Sequence, residues 1–232
     1  MLNFHKINLK IMITKQKVRS YEVIGLDTPS TPLLTRLGTI LFYGNASYLV
    51  VLFLFVLWSS FFGFSLTSNY VSDLGSKSVI PFPYVHDLIC VFGGLVSLPV
   101  NFFMKKKLRI VYKRSKHSVL FVEFGAVLGV IGNAGYVFLG VFSLDRAGPG
   151  QIFHGVTALL AFGGSVVSIF FYSLSIILSH RCKLRNLGLF GLIAPTSLLF
   201  LFCVISIPLI EWFLLSSILG FLFLLDYYVF KL

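Results

Sequence analysis

Long apolar runs separated by short polar connections dominate the pattern of this chain. Six of them have about the length, roughly 20 residues, that an α-helix needs to cross a bilayer. They are continuous rather than alternating, so they predict helices and not the strands of a membrane barrel. We expect spans at about 37–64, 84–104, 118–142, 153–178, 187–207 and 212–230.

The composition of the chain supports a membrane protein. Of the 232 residues, 57% are hydrophobic and 12% are charged, whereas about a quarter of the residues are charged in a soluble domain. A soluble core of this size could not bury so many apolar side chains. The fold class that we predict is all-α, a polytopic membrane helical bundle of six transmembrane helices. We expect a basic cytoplasmic N-terminal tail over 1–36 and the transmembrane domain over 37–230.

The net charge of +11 would suit a nucleic-acid-binding protein, but the distribution of the charges does not. The basic residues lie in the short connections, where they meet anionic lipid headgroups. We therefore expect membrane lipids as partners and no nucleic acid, and the sequence specifies no oligomeric state.

The same charges predict the orientation. With the N-terminus in the cytoplasm, 17 of the 19 Lys and Arg residues fall on the cytoplasmic side, and only Lys77 and Arg146 fall outside. Cytoplasmic connections carry such an excess of basic residues. We expect a multi-pass protein of the cell membrane with both termini in the cytoplasm, and we find no secretory signal before the first span.

Glycines mark where helices approach closely in a bilayer, because small residues let the backbones meet. The third span is rich in them, which predicts that this helix lies at the centre of the bundle. Its glycines are Gly125, Gly129, Gly132, Gly135 and Gly140.

Most ionisable residues outside the basic connections gather near the predicted outer side. Such groups are costly at membrane depth and often functional. Glu211 and Arg146 lie on this side as well, and a His beside an Asp could act as an oriented general base. We consider six residues a candidate ligand-binding site: Ser72, Asp73, His86, Asp87, Asp145 and His154.

Other interpretations of these residues remain open. Two imidazoles and several carboxylates could hold a divalent metal, and His86 with His154 could ligate a haem. They could equally anchor the ends of spans at the headgroups. No catalytic signature such as His-Glu-x-x-His is present, so we assign no catalytic residue, and we predict no metal and no cofactor.

Four polar residues lie deeper in the predicted spans: Asn45, Glu123, Asn133 and Asp226. Glu123 and Asp226 could pair with nearby lysines or reach the interface. Alternatively, Glu123 and Asn133 could belong to a proton or ion path that leads to the outer residues.

Two short motifs resemble a known family. Asn69-Tyr-Val-Ser-Asp-Leu-Gly75 follows the first span, and Gly140-Val-Phe-Ser-Leu-Asp145 precedes His154-Gly155 and a glycine-rich span. Over about residues 37–230 the chain resembles the six-span family called domain of unknown function 998, although Ser143 stands where that family commonly has Pro. The resemblance implies six membrane helices and an outer site around Ser72, Asp73 and His154, and it implies no reaction.

Three functions follow as expectations. The first is a membrane protein that binds a lipid or small ligand at the outer polar residues. The second is an enzyme that acts on lipid headgroups with a His–Asp pair or a metal. The third is a small transporter, which would need a polar cavity that reaches the middle of the membrane near Asn133.

Overall fold

A computed structural model of the chain describes residues 32–113, 115–147, 151–179 and 184–231. Six helices in these ranges are long and apolar enough to cross a membrane, and the ranges contain no strand. The predicted all-α bundle of six transmembrane helices is therefore confirmed. The helices are α1 (Pro32–Ser60), α2 (Pro83–Val111), α3 (Lys116–Val141), α4 (Ile152–Leu178), α5 (Arg185–Ile205) and α6 (Pro208–Lys231).

The ends of the helices follow from local chemistry. Pro83 and Pro208 begin α2 and α6, because proline is preorganised for the first helical turn. The Ser115 hydroxyl accepts a hydrogen bond from the Ser118 N–H at 3.2 Å and caps α3. Ser206 adopts a left-handed conformation (φ 50°) at the end of α5. This residue allows the sharp return into α6.

Two boundaries differ from the prediction. The second span was expected to end near residue 104, but α2 continues through the basic segment to Val111. Hydropathy reports the apolar part of a helix and not its full length. Helix α1 begins at Pro32, before the predicted start of the transmembrane domain, and the predicted tail up to residue 31 lies outside the described residues.

The six helices form a closed ring. Each helix packs against the next one in the chain, and α6 returns to α1 while also touching α2 and α4. Helix α3 packs chiefly between α2 and α4. The expectation that α3 occupies the centre is therefore wrong, since its glycines serve its two neighbours in the ring.

The glycines of α3 do mark close helix contacts, as expected. A methyl group placed on Gly132 or Gly135 would lie 2.8 Å from the Ser165 backbone nitrogen or 2.6 Å from the Ala161 backbone nitrogen of α4. On the opposite side, a methyl group on Gly129 would lie 2.8 Å from the Asn101 side chain of α2. Any larger residue would force the helices apart.

A folded loop closes one end of the bundle. We call the end where α2, α4 and α6 begin the outer end, after the predicted orientation, and the opposite end the inner end. Between α1 and α2, residues Val71–Gly75 form a short 3-10 helix. Leu74 and Ile80 of this loop are fully buried with Trp212 of α6. The loop is thus part of the hydrophobic core.

An ion-pair cluster joins α2 and α3 near the inner end. The Glu123 carboxylate lies 2.6 Å from the Lys105 amine and 3.5 Å from the Arg109 guanidinium. The predicted pairing of Glu123 with nearby basic residues is confirmed.

Candidate functional site

The outer polar residues form separate structural contacts rather than one convergent group. Asp87 begins the second turn of α2 and is buried, and its Oδ2 accepts a hydrogen bond from Arg146 Nη2 at 2.5 Å. The same guanidinium nitrogen donates to the Gly140 carbonyl at 2.7 Å. Arg146 therefore ties the end of α3 to the start of α2.

Two other carboxylates hold the 3-10 helix. Asp73 Oδ2 accepts a hydrogen bond from the Tyr70 N–H at 2.8 Å, and Glu211 Oε2 of α6 accepts one from the Val71 N–H at 2.8 Å. Each carboxylate satisfies a backbone donor at the start of a helical turn. Ser72 is half-buried in this turn.

Asp145 and His154 also have backbone partners. Asp145 Oδ2 accepts a hydrogen bond from the Lys77 N–H at 2.8 Å, and Asp145 Oδ1 accepts one from the Ser76 hydroxyl at 3.2 Å. The Nδ1 atom of His154 lies 3.0 Å from the Phe142 carbonyl oxygen. Among the six predicted site residues, the chain neighbours His86 and Asp87 lie 4.0 Å apart. His154 and Asp145 lie within electrostatic range of His86 and Asp87, respectively, but neither forms a hydrogen bond with them among the described contacts.

A chain of buried polar side chains leads from this end toward the middle of the bundle. The His86 Nε2 atom lies 3.5 Å from the Cys90 sulfur, one helical turn deeper. The Cys90 thiol lies beside the Tyr136 hydroxyl, and the Tyr136 and Tyr48 hydroxyls form a hydrogen bond of 2.6 Å. Adjacent hydrogen-bonding groups thus extend from Asp87 to the centre.

Two adjoining cavities occupy the centre of the ring. The volume open to the centre of a water molecule is about 40 Å³ in the inner cavity and about 50 Å³ in the outer cavity. About 10–15 Å³ of such volume holds one water. The space therefore admits several waters or a solute of a few heavy atoms. Both cavities are lined by Ser97, Asn133, Ser165, Leu219 and Leu222.

The cavities lie near the middle of the helices. Ser97 stands at the midpoint of α2, Ser165 at the midpoint of α4, and Asn45 close to the midpoint of α1. Polar groups at this depth have no bulk water available. They need a partner from the protein or from the contents of the cavity.

Some polar residues that line the inner cavity have protein partners. The Asn101 amide donates to the Ala126 carbonyl at 2.8 Å and accepts from the Tyr172 hydroxyl at 2.7 Å. The Ser168 hydroxyl donates to the Gly125 carbonyl at 2.6 Å. These hydrogen bonds fix α2, α3 and α4 relative to one another.

Other polar residues at the cavities lack such partners. The side chains of Asn133, Ser97 and Ser165 are half-buried, and in the described part of the chain they make no hydrogen bond. They come from three different helices and line both cavities. This converging set of an amide and two hydroxyls is the candidate functional site.

A buried carboxyl lies one helical turn below the inner cavity. Asp226 of α6 is fully buried, and neither of its oxygens has a hydrogen-bond partner within the described ranges. The Asn45 amide, which lines the inner cavity, lies beside it. The predicted pairing of Asp226 with a lysine finds no counterpart among the described ion pairs.

The residues 32–113, 115–147, 151–179 and 184–231 contain no group of three His, Cys, Asp or Glu side chains that could hold a metal ion. His86 and His154 each have a partner of their own, and the haem interpretation gains no support from them.

Sequence reasoning placed Asn133 in the alternative ion path and in the transporter cavity, counted Asn45 only among the deeper polar residues, and did not assign Ser97 or Ser165 to a site. The signal available was weak, since a serine in a glycine-rich span usually indicates helix packing. Comparisons with protein-family models, with curated proteins and with solved structures gave no match to this chain. The resemblance to domain of unknown function 998 stays a prediction.

Proposed function

We propose that this protein binds a small, uncharged, polar solute in the central cavities and carries it across the membrane. The observation that supports this proposal is the set of Asn133, Ser97 and Ser165, which line the cavities near the middle of the helices and have no hydrogen-bond partner among the described residues. Unpaired polar groups in an enclosed site are satisfied by a ligand or by water.

The chemistry of the lining indicates the class of solute. Amide and hydroxyl groups offer both donors and acceptors but no charge. The remaining lining is apolar, as Leu219 and Leu222 illustrate. An ion would meet no opposite charge in the lining, whereas a compact molecule with hydroxyl or amide groups would find partners. Glycerol and urea have this size and chemistry.

The two other expected functions gain less support. Ligand binding or lipid-headgroup chemistry at the outer end would need its polar residues to be available. Asp73, Asp145 and Asp87 are instead engaged with Tyr70, Lys77 and Arg146. These contacts stabilise the loops.

The proposal is tested by solute flux into proteoliposomes. Stopped-flow light scattering with glycerol and urea should show faster entry for the wild-type protein than for protein-free liposomes. Asn133→Leu should lower the protein-dependent rate about tenfold, because the loss of a hydrogen bond to the solute changes binding by about that factor. Wild-type liposomes that are no more permeable than empty ones would refute the proposal for these solutes.

Two matched variants separate a lost site from a damaged fold. Ser47→Ala removes a hydroxyl from the exposed face of α1 and should leave the flux unchanged, whereas Ser97→Ala should lower it. Asn101→Leu removes an amide with protein partners and should lower the thermal stability, which Asn133→Leu should not. Equal effects of Ser47→Ala and Ser97→Ala on flux would count against the site.

A further inference from the structure

We propose that Asp226 is a proton-exchanging group that communicates with the central cavities through Asn45. The inference rests on the proposed function, since it makes the solute cavity the route by which this carboxyl gains and loses its proton. Solute passage could then be driven by a proton gradient across the membrane.

The position of Asp226 links it to the inner cavity. Leu222, one helical turn earlier on the same face of α6, lines that cavity, and so does Asn45 of α1. The Asn45 amide also lies beside the Asp226 carboxyl. The Asn45 side chain therefore lies between the cavity and the carboxyl, and its displacement would give the carboxyl access to a proton donor in the cavity.

The described residues around Asp226 supply no counter-charge. Helix α6 packs against α1, α2, α4 and α5, and no described Lys, Arg or His on these helices forms an ion pair with Asp226. Glu123 of α3 is bound by Lys105 and Arg109. Asp226 is fully buried, has no ion-pair partner among the described residues and has a neutral amide beside it. Structural carboxylates, in contrast, are paired with a charge or fully hydrogen-bonded.

A proton fits this site better than a metal cation does. Hard cations in proteins take about six oxygen ligands, whereas among the described residues only the Asn45 side chain is a polar neighbour of Asp226. A proton requires one basic oxygen only. The site therefore suits proton exchange and not ion coordination.

Infrared difference spectroscopy of the protein in lipid tests the proposal without any solute. Spectra in acidic and alkaline buffer should differ by the carbonyl band of a protonated carboxyl, and Asp226→Asn should remove this band. Glu211→Gln is the matched control, because Glu211 is a buried carboxyl of the same helix with a backbone partner at the outer end. This variant should keep the Asp226 band.

Exchange into D₂O tests the route. Asn45→Leu should slow the isotope shift of the Asp226 band relative to wild type, and Ser47→Ala on the exposed face of α1 should not. If the Asp226→Asn protein fails to fold, Asp226→Glu replaces it, and a displaced band then supports the assignment. An unchanged band in either Asp226 variant, no titrating band in wild type, or unchanged exchange in Asn45→Leu would overturn the proposal.

The flux assay distinguishes this proposal from the proposed function. Glycerol or urea flux that is present in wild type but independent of a pH gradient would overturn the coupling and leave the solute site standing. A titrating Asp226 band without flux of either solute would support the proton site and refute the proposed transport of these solutes.

Discussion

Asp87 and Arg146 form an ion pair at the outer end, and its energetics can be predicted from the exposure of the two side chains. Arg146→Met would leave the Asp87 carboxylate, whose side chain is 7% exposed, without its cation. The Arg146 side chain is itself 49% exposed, so water can partly replace it. We expect a loss of about 1–3 kcal/mol in the free energy of unfolding.

A double-mutant cycle checks this prediction in detergent or lipid. Asp87→Asn should cost less in Arg146→Met than in the wild-type background, because the two groups interact directly. Strictly additive effects would show that the pair contributes no coupling energy.

At the scale of residues, the sequence predicts which side chains are polar and at which depth of the membrane they lie. It does not predict which residues they contact. Asp87 and Arg146 are 59 positions apart, and only the packing of α2 on the loop after α3 brings them together. Asn101 and Asn133 look alike in sequence, yet Asn101 has protein partners, whereas Asn133 lines a cavity and has no hydrogen-bond partner in the described part of the chain. The rotation of each helix about its own axis determines which of these side chains meets a partner.

At the scale of elements, the contact of α3 with α4 depends on glycine. Gly135→Ala would place a methyl group 2.6 Å from the Ala161 backbone nitrogen, so the two helices must separate. We expect a loss of about 1–3 kcal/mol in stability, measured by denaturant or thermal unfolding.

Gly220→Ala is the matched control for that substitution. A methyl group on Gly220 of α6 would meet nothing within 4 Å. Alanine there should raise the stability by about 0.5–1 kcal/mol, because it restricts the unfolded chain. Equal effects of Gly135→Ala and Gly220→Ala would mean that close packing is not the role of Gly135.

The 3-10 helix between α1 and α2 depends on α6 through Glu211. Glu211→Ala would remove the acceptor of the Val71 N–H. We expect the amide exchange of Val71–Gly75 to rise about tenfold, the effect of one lost hydrogen bond. Hydrogen-exchange mass spectrometry of peptides over 65–80 measures it. Glu211→Gln keeps an acceptor oxygen and should restore most of the protection; if it does not, the carboxylate charge is what holds the turn.

Most of the elements could be predicted from the sequence, because six apolar runs of membrane-spanning length admit few alternatives. The 3-10 helix was not expected. Its stability comes from Glu211 and from burial against Trp212, both distant in sequence. The inner part of α2 was not predicted for a different reason. The helix continues beyond its apolar part into the basic segment, where hydropathy gives no signal.

At the scale of the whole molecule, the ring of helices explains why the centre is polar and partly open. Each helix packs on its neighbours in the chain, and α6 also touches α2 and α4 across the ring, so that only part of the central space is open. The polar chain from His86 to Tyr48 is a buried connection between the outer end and this space, because Tyr48 and Tyr136 line the outer cavity. Sequence patterns fix the number of helices but not the volume that they enclose.

The orientation of this ring in the membrane can be tested with single cysteines. The asymmetry of Lys and Arg predicts that the loop containing Ser78 is outside the cell and that Lys106 faces the cytoplasm. Cys182 and Cys203 would be replaced by serine, and Cys90 is buried. A membrane-impermeant maleimide added to intact cells should then label Ser78→Cys but not Lys106→Cys until the cells are opened. The reverse pattern would mean that the bundle has the opposite orientation, with the basic connections outside the cell and Asp226 near the external surface.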